Sequence, residues 1–203
     1  MTRRAKRASI VTAIAVAGIL LASWLIIGRG FNARETPGAV ETFVARRLRS
    51  MMIPREAKNA QNPAPASSET LSEAMEHFAD HCAICHANDG SGDASIGNGL
   101  YPKPPDLRMP DTQRLTDGEL FYIIHNGVPL TGMPAFGSDE PGADLDSWKL
   151  VRFIRHLPQI TPEELEKMET MNPKSLHELQ EEEAIRRFLE GDDSPPAGNH
   201  KHD

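Results

Sequence analysis

The chain has 203 residues, with 22 Lys+Arg against 29 Asp+Glu and a formal net charge of -7. Its charge is split: residues 1–55 carry ten basic and two acidic side chains, and residues 56–203 carry twelve and 27. The length suits one modest domain with appendages, and the acidic body excludes nucleic acid as a partner, because phosphate binding needs a basic surface.

In chain order, residues 1–8 form a basic N-terminus with Arg3, Arg4, Lys6 and Arg7. Ser9 to Gly28 is twenty residues without a charge, about 30 Å as a helix and so matched to a bilayer core. The pattern predicts a transmembrane signal anchor over 9–28, with the N-terminus cytoplasmic and the remainder exported. A cleaved signal peptide is the alternative, but its apolar region would be about 7–15 residues long and end in a small-x-small site. Residues 29–53 hold a short joint and then an amphipathic helix over Ala39–Met52. There Val40, Phe43, Val44, Leu48, Met51 and Met52 recur at helical spacing among Arg46, Arg47 and Arg49. Such a helix suits a lipid headgroup layer, the soluble domain or a partner subunit. Residues 54–68, with Pro54, Pro63 and Pro65, read as a semi-extended linker.

Residues 69–158 read as a helical domain. Thr70-x-x-Glu73 resembles a capping box opening a helix that runs toward Cys82, with Leu71, Ala74, Met75, Phe78 and Ala79 on its apolar face. A Gly- and Pro-rich loop covers 87–111. Thr116-x-x-Glu119 opens a second helix, with Leu120, Ile123 and Ile124 inward and Gly127 as its stop. After another loop, a helix from about Leu145 to His156 presents Leu150, Val151, Phe153 and Ile154, and Pro158 ends it. Residues 159–190 are a helical C-terminal extension, with starts at Thr161-Pro162-x-Glu164 and Ser175-x-x-Glu178. The polar residues 191–203 read as a disordered tail. Its His200 and His202 lack a third ligand and would hold a metal only weakly. No alternating strand pattern stands out, so the expected fold class is all-α.

The chemistry concentrates in Cys82-Ala83-Ile84-Cys85-His86, which uses both cysteines of the chain. C-x-x-C-H is the pattern of covalent haem attachment: the thiols add to the two vinyl groups and the histidine binds iron axially. A thioredoxin-like motif would sit beside a βαβ pattern, and a structural zinc site usually needs four ligands; neither context is present. A disulfide between residues three apart would staple almost nothing. For the other face of the iron the candidates are Met109, His125, Met133, His156, Met168 and Met171. Met133 stands out, because Gly132 permits close backbone approach and Pro134 stiffens the loop that must present its sulfur.

The order of these parts resembles a class I monohaem cytochrome c domain: a helix entering C-x-x-C-H, a loop, a middle helix, a Gly132-Met133-Pro134 ligand loop and a C-terminal helix. The resemblance covers under half of the chain. It implies one covalently attached haem c, with Cys82 and Cys85 as thioethers and His86 and Met133 as axial ligands, and no catalytic residue. It further implies that Phe78 and Phe153 pack where the terminal helices cross, that Trp148 lies near that crossing or the haem, and that Tyr101 or Arg108 approaches a propionate. His125 is the rival axial ligand. The expected function is a membrane-tethered cytochrome carrying single electrons between redox partners on the extracytoplasmic side. The alternatives are a subunit of a membrane respiratory complex and a haem-based sensor with an exchangeable sixth ligand.

Overall fold

Hydroxyl side chains start three helices of the folded body. Thr116 Oγ1 accepts from the amide of Glu119 at 3.1 Å, and the Glu119 carboxylate accepts from the amide of Thr116 at 2.9 Å. Thr161 and Glu164 form the same reciprocal box at 3.2 and 2.8 Å. Each box satisfies two amides that the first helical turn leaves unpaired. The first helix differs from expectation. Its cap is Ser67, whose hydroxyl accepts from the Thr70 amide at 3.1 Å. Thr70 is buried and donates no cap; its hydroxyl is held by that of Ser67 at 3.0 Å.

The computed structural model describes residues 3–28, 32–137, 143–174 and 176–190. Among them there is no strand. The helices are α1 (Arg3–Gly28), α2 (Ala39–Met52), α3 (Arg55–Lys58), α4 (Ser68–His77), α5 (Ala83–His86), α6 (Pro110–Gln113), α7 (Asp117–Asn126), α8 (Ala143–His156), α9 (Pro162–Glu169) and α10 (Leu176–Leu189). A π-helical turn, Phe78–Cys82, joins α4 to α5. The all-helical expectation for the cytochrome-like body stands. The tail at 191–203, with His200 and His202, and the helix-start residue Ser175 lie outside the described residues.

One part of the expected architecture is overturned. Among the described residues no helix is long and apolar enough to cross a membrane. Residues 9–28 do lie in the 26-residue helix α1, but that helix does not combine the length and apolarity a bilayer span needs, so the transmembrane helix in front of the domain is withdrawn.

The body is built around the crossing of α4 and α8. Phe78 and Phe153 are both fully buried, and their ring centroids lie 4.9 Å apart at an interplanar angle of 53°, within the favourable range for tilted aromatic pairs. Trp148 stacks on Phe121 of α7 at 4.1 Å and 9°, which ties the middle helix to α8. Leu150, Val151 and Leu157 fill the same core, and so does Met168 of α9. The extension after residue 159 thus begins by sealing the domain. His156 Nε2 lies 2.9 Å from the Glu164 carboxylate and holds α9 against the end of α8.

The proline segment is strapped to the body rather than free of it. Asn62 Nδ2 donates to the carbonyl of Trp148 at 2.9 Å, Arg152 Nη2 donates to that of Ala64 at 2.9 Å, and Ala64 is buried. By contrast, α10 leaves Ile185, Phe188 and Leu189 exposed. Phe153→Ala should lower unfolding free energy by about 3–5 kcal/mol, read as a fall in the denaturant midpoint. Phe188→Ala should stay within about 0.5 kcal/mol of the parent.

Candidate cofactor site

The π-helical turn places the cysteine motif. The amide of Ala83 bonds to the carbonyl of Phe78, five residues back, so the backbone is wider there than in an α-helix. The turn begins at the core residue Phe78 and ends at Cys82, and α5 then carries Cys85 and His86 onto the same cavity. The following loop is held close. The Gly92 amide donates to the carbonyl of His86 at 2.8 Å, and the Leu107 amide to that of Gly90 at 2.8 Å.

Met133 is brought to that cavity by a loop folded back on the end of α7. The Val128 amide donates to the Met133 carbonyl at 3.1 Å, and the Met133 amide to Thr131 Oγ1 at 3.2 Å. Beyond it, the Phe136 amide donates to the carbonyl of Ile124 at 3.1 Å. The hinge of this fold-back is Gly127, with φ 69° and ψ -171°, a region that only glycine occupies readily. A Cβ there would stand 2.6 Å from the carbonyl carbon of Pro134. At Gly132 a Cβ would come within 2.8 Å of the Leu100 side chain.

Cys82, Cys85, His86 and Met133 line one cavity of about 380 Å³. Its walls include Phe78, Leu107, Leu120, Ile124, Leu150 and Ile154. The volume lies in the ~300–1,000 Å³ range of cofactor sites, and apolar walls with a few donors are the usual design. Burial pushes the His86 imidazole down from its ordinary pKa, and the backbone of Pro105 partly counters this. That contact falls short of a formed hydrogen bond, for Nδ1 is buried with no partner. His86 is therefore neutral at pH 7, the form that binds a metal. Both cysteines are free thiols. Burial, with Cys85 adding to it, pushes the Cys82 thiol up to about 12, and burial also raises Cys85. An apolar slot lined by two neutral sulfurs, a neutral imidazole and a thioether fits a haem c better than a charged metal ion. No group of three or more acidic, cysteine or histidine residues suited to a metal ion occurs among the described residues.

The rival ligands lie elsewhere. His125 does not line the cavity. Its ring stacks on Phe121 at 5.4 Å, and Nδ1 lies 3.1 Å from the Asp144 carboxylate without forming a directed hydrogen bond. Met109 is exposed, Met168 is in the core, and His156 is engaged by Glu164. Tyr101 and Arg108 also miss the cavity. The Tyr101 hydroxyl donates to Glu41 at 2.7 Å, and Arg108 is held by Asp106 and Asp89, each at 2.8 Å. In their place the cavity has Arg46 and Arg49 from α2, and His81. The available signal for the two arginines was their i,i+3 spacing on one helix face; nothing local says where that face docks.

Residues 69–154 match the family model described as cytochrome c oxidase, cbb3-type, subunit III. The matched stretch runs from α4 through nearly all of α8 and contains Cys82, Cys85, His86 and Met133. A search of curated proteins finds no match to the chain. Together with the helical architecture and the cavity, the family match supports a c-type cytochrome domain over this part of the chain. Because Gly127 holds the fold-back that presents Met133, Gly127→Ala should cost roughly 1–3 kcal/mol through backbone strain alone, with more from the clash at Pro134; equilibrium unfolding of the two proteins measures it.

Proposed function

We propose that the chain carries single electrons through one haem c held by Cys82 and Cys85, with His86 and Met133 as its two axial ligands. The observation that carries the reading is the convergence of these four side chains on one apolar cavity. A haem bound there supplies a one-electron iron couple. The chain's residues do the rest. His86 stays neutral through burial. Met133, on a loop pinned by Thr131 and Gly127, offers a soft thioether that favours the reduced iron and raises the potential relative to two imidazoles. With both ligands present in both oxidation states, little has to rearrange on transfer. Phe78, Leu107 and Ile154 exclude water.

The haem domain works on the extracytoplasmic side, because that is where haem is attached in the cytochromes it resembles. Its donor and acceptor are redox proteins, among which a respiratory oxidase is the first candidate, given the cbb3-type subunit III match. A second reading, a permanent subunit of such a complex, is favoured by uncovered apolar side chains on two helices outside the matched stretch. Val40 and Phe43 of α2 are 77% and 70% exposed, and Phe188 of α10 is 78% exposed; apolar faces of this kind commonly mark interaction surfaces.

Met133→Ala should abolish the weak far-red sulfur-to-iron band of the oxidised protein and open the reduced protein to carbon monoxide. Rapid carbon monoxide binding by the parent protein would instead sink the two-ligand model and favour a sensor. Mild extraction from native membranes should copurify a stable oxidoreductase if the chain is a permanent subunit; a monodisperse monomer would leave it a mobile carrier.

A further inference from the structure

The helix α2 precedes the stretch that matches the cytochrome family, which starts at residue 69. Yet Arg46 and Arg49 of α2 line the cavity that holds Cys82, His86 and Met133. The helix is fixed there from two sides. Tyr101 Oη donates to Glu41 at 2.7 Å, and Arg46 Nη1 donates to Asp111 at 2.6 Å.

The two arginines are not equivalent. Arg46 is compensated by Asp111. Arg49 is half-buried, and its guanidinium forms no hydrogen bond or ion pair with any described residue. Burial, and then the like charge of Arg46, work against its protonated form, with a smaller opposing pull from Glu119. A guanidinium offers five donors, and leaving them unmatched away from water is costly. Such a cation at a cavity wall calls for an anion inside the cavity. A haem c brings two: its vinyl groups are consumed by the cysteines, while both propionate carboxylates remain. Arginine pairs with carboxylates in a fork-to-fork geometry that no other side chain reproduces. Tyr101 and Arg108, the expected propionate partners, are both engaged elsewhere.

We propose that Arg49, with Arg46 beside it, binds a haem propionate, so that α2 is a working part of the haem site rather than a spacer. This rests on the haem reading above. The other titratable groups at this cavity are Asp111, paired with Arg46, and His81, paired with Asp80, and Glu119 acts on Arg49 from α7. A fixed cation beside the ring favours the reduced, less positive iron, and it keeps the propionate ionised across neutral pH.

The test is redox titration of the haem-loaded full chain from pH 5 to 8. Arg49→Gln should shift the reduced-to-oxidised ratio about tenfold toward oxidised, about 59 mV for one electron. It should also make the potential fall with rising pH, as the released propionate now titrates. Arg49→Lys should restore most of both properties, and Arg47→Gln, on the exposed side of α2, should change neither. A haem-loaded Arg49→Gln protein with the parent's potential and pH profile would overturn the proposal while leaving the cytochrome reading intact. Should Arg49→Gln fail to fold, the parent protein decides: a flat potential over this range supports the proposal, and one that already falls with pH overturns it. A chain recovered without covalently bound haem would remove the cytochrome reading itself, and the arginine proposal with it.

Discussion

The edge of one phenyl ring against another, Phe78 on Phe153 at 4.9 Å, fixes the crossing of α4 and α8, and most of the molecule is arranged by that crossing. Phe78 is the last large core side chain before the cysteines, and it opens the π-helical turn that ends at Cys82. The aromatic contact thus sets where the motif starts, and the wider turn sets which way it faces. From the other partner, α8, the same packing reaches Trp148 and its stack on Phe121, which positions α7. The end of α7 in turn anchors the Met133 loop through Gly127 and the Ile124 carbonyl. Two cavity residues 47 apart in sequence, His86 and Met133, therefore answer to one pair of rings.

The electrostatics of the cavity follow from the same burial. The apolar walls disfavour charge, which keeps His86 neutral and the Cys82 thiol protonated. That environment suits a cofactor joined through neutral sulfur and a neutral imidazole. The lining also carries charged side chains, Arg46, Arg49 and Asp111, of which Arg46 and Asp111 are paired. An apolar interior with a charged margin matches an apolar macrocycle with carboxylates at its edge. The segments beside the domain take part in this arrangement. The proline segment is bonded to α8 through Asn62 and Ala64, and α9 inserts Met168 into the core.

Legibility in the sequence divided along physical lines. Helix α2 matched its expected limits because a strong apolar period over fourteen residues is a local signal. The boxes at Thr116 and Thr161 were equally local. Thr70 misled because the box pattern was present while the residue itself was buried, and Ser67, three positions upstream, took the cap. Arg108 misled for a related reason: Asp106 and Asp89 captured it, and ion-pair partners nineteen residues apart are invisible to spacing. The expectation of a membrane-crossing helix rested on the uncharged run 9–28 and is not sustained among the described residues.

The sequence by itself determined the helical class, the covalent motif Cys82–His86 and the candidacy of Met133, because each is written in residues close together in the chain. Only the tertiary structure decided that Met133 rather than His125 faces the cavity with His86, that α9 and the proline segment belong to the body, and that α2 brings Arg46 and Arg49 to the cavity wall. The reason is that these outcomes depend on which distant surfaces meet. Helix periodicity tells which face is apolar or basic, but the partner of that face is chosen by packing across the whole fold.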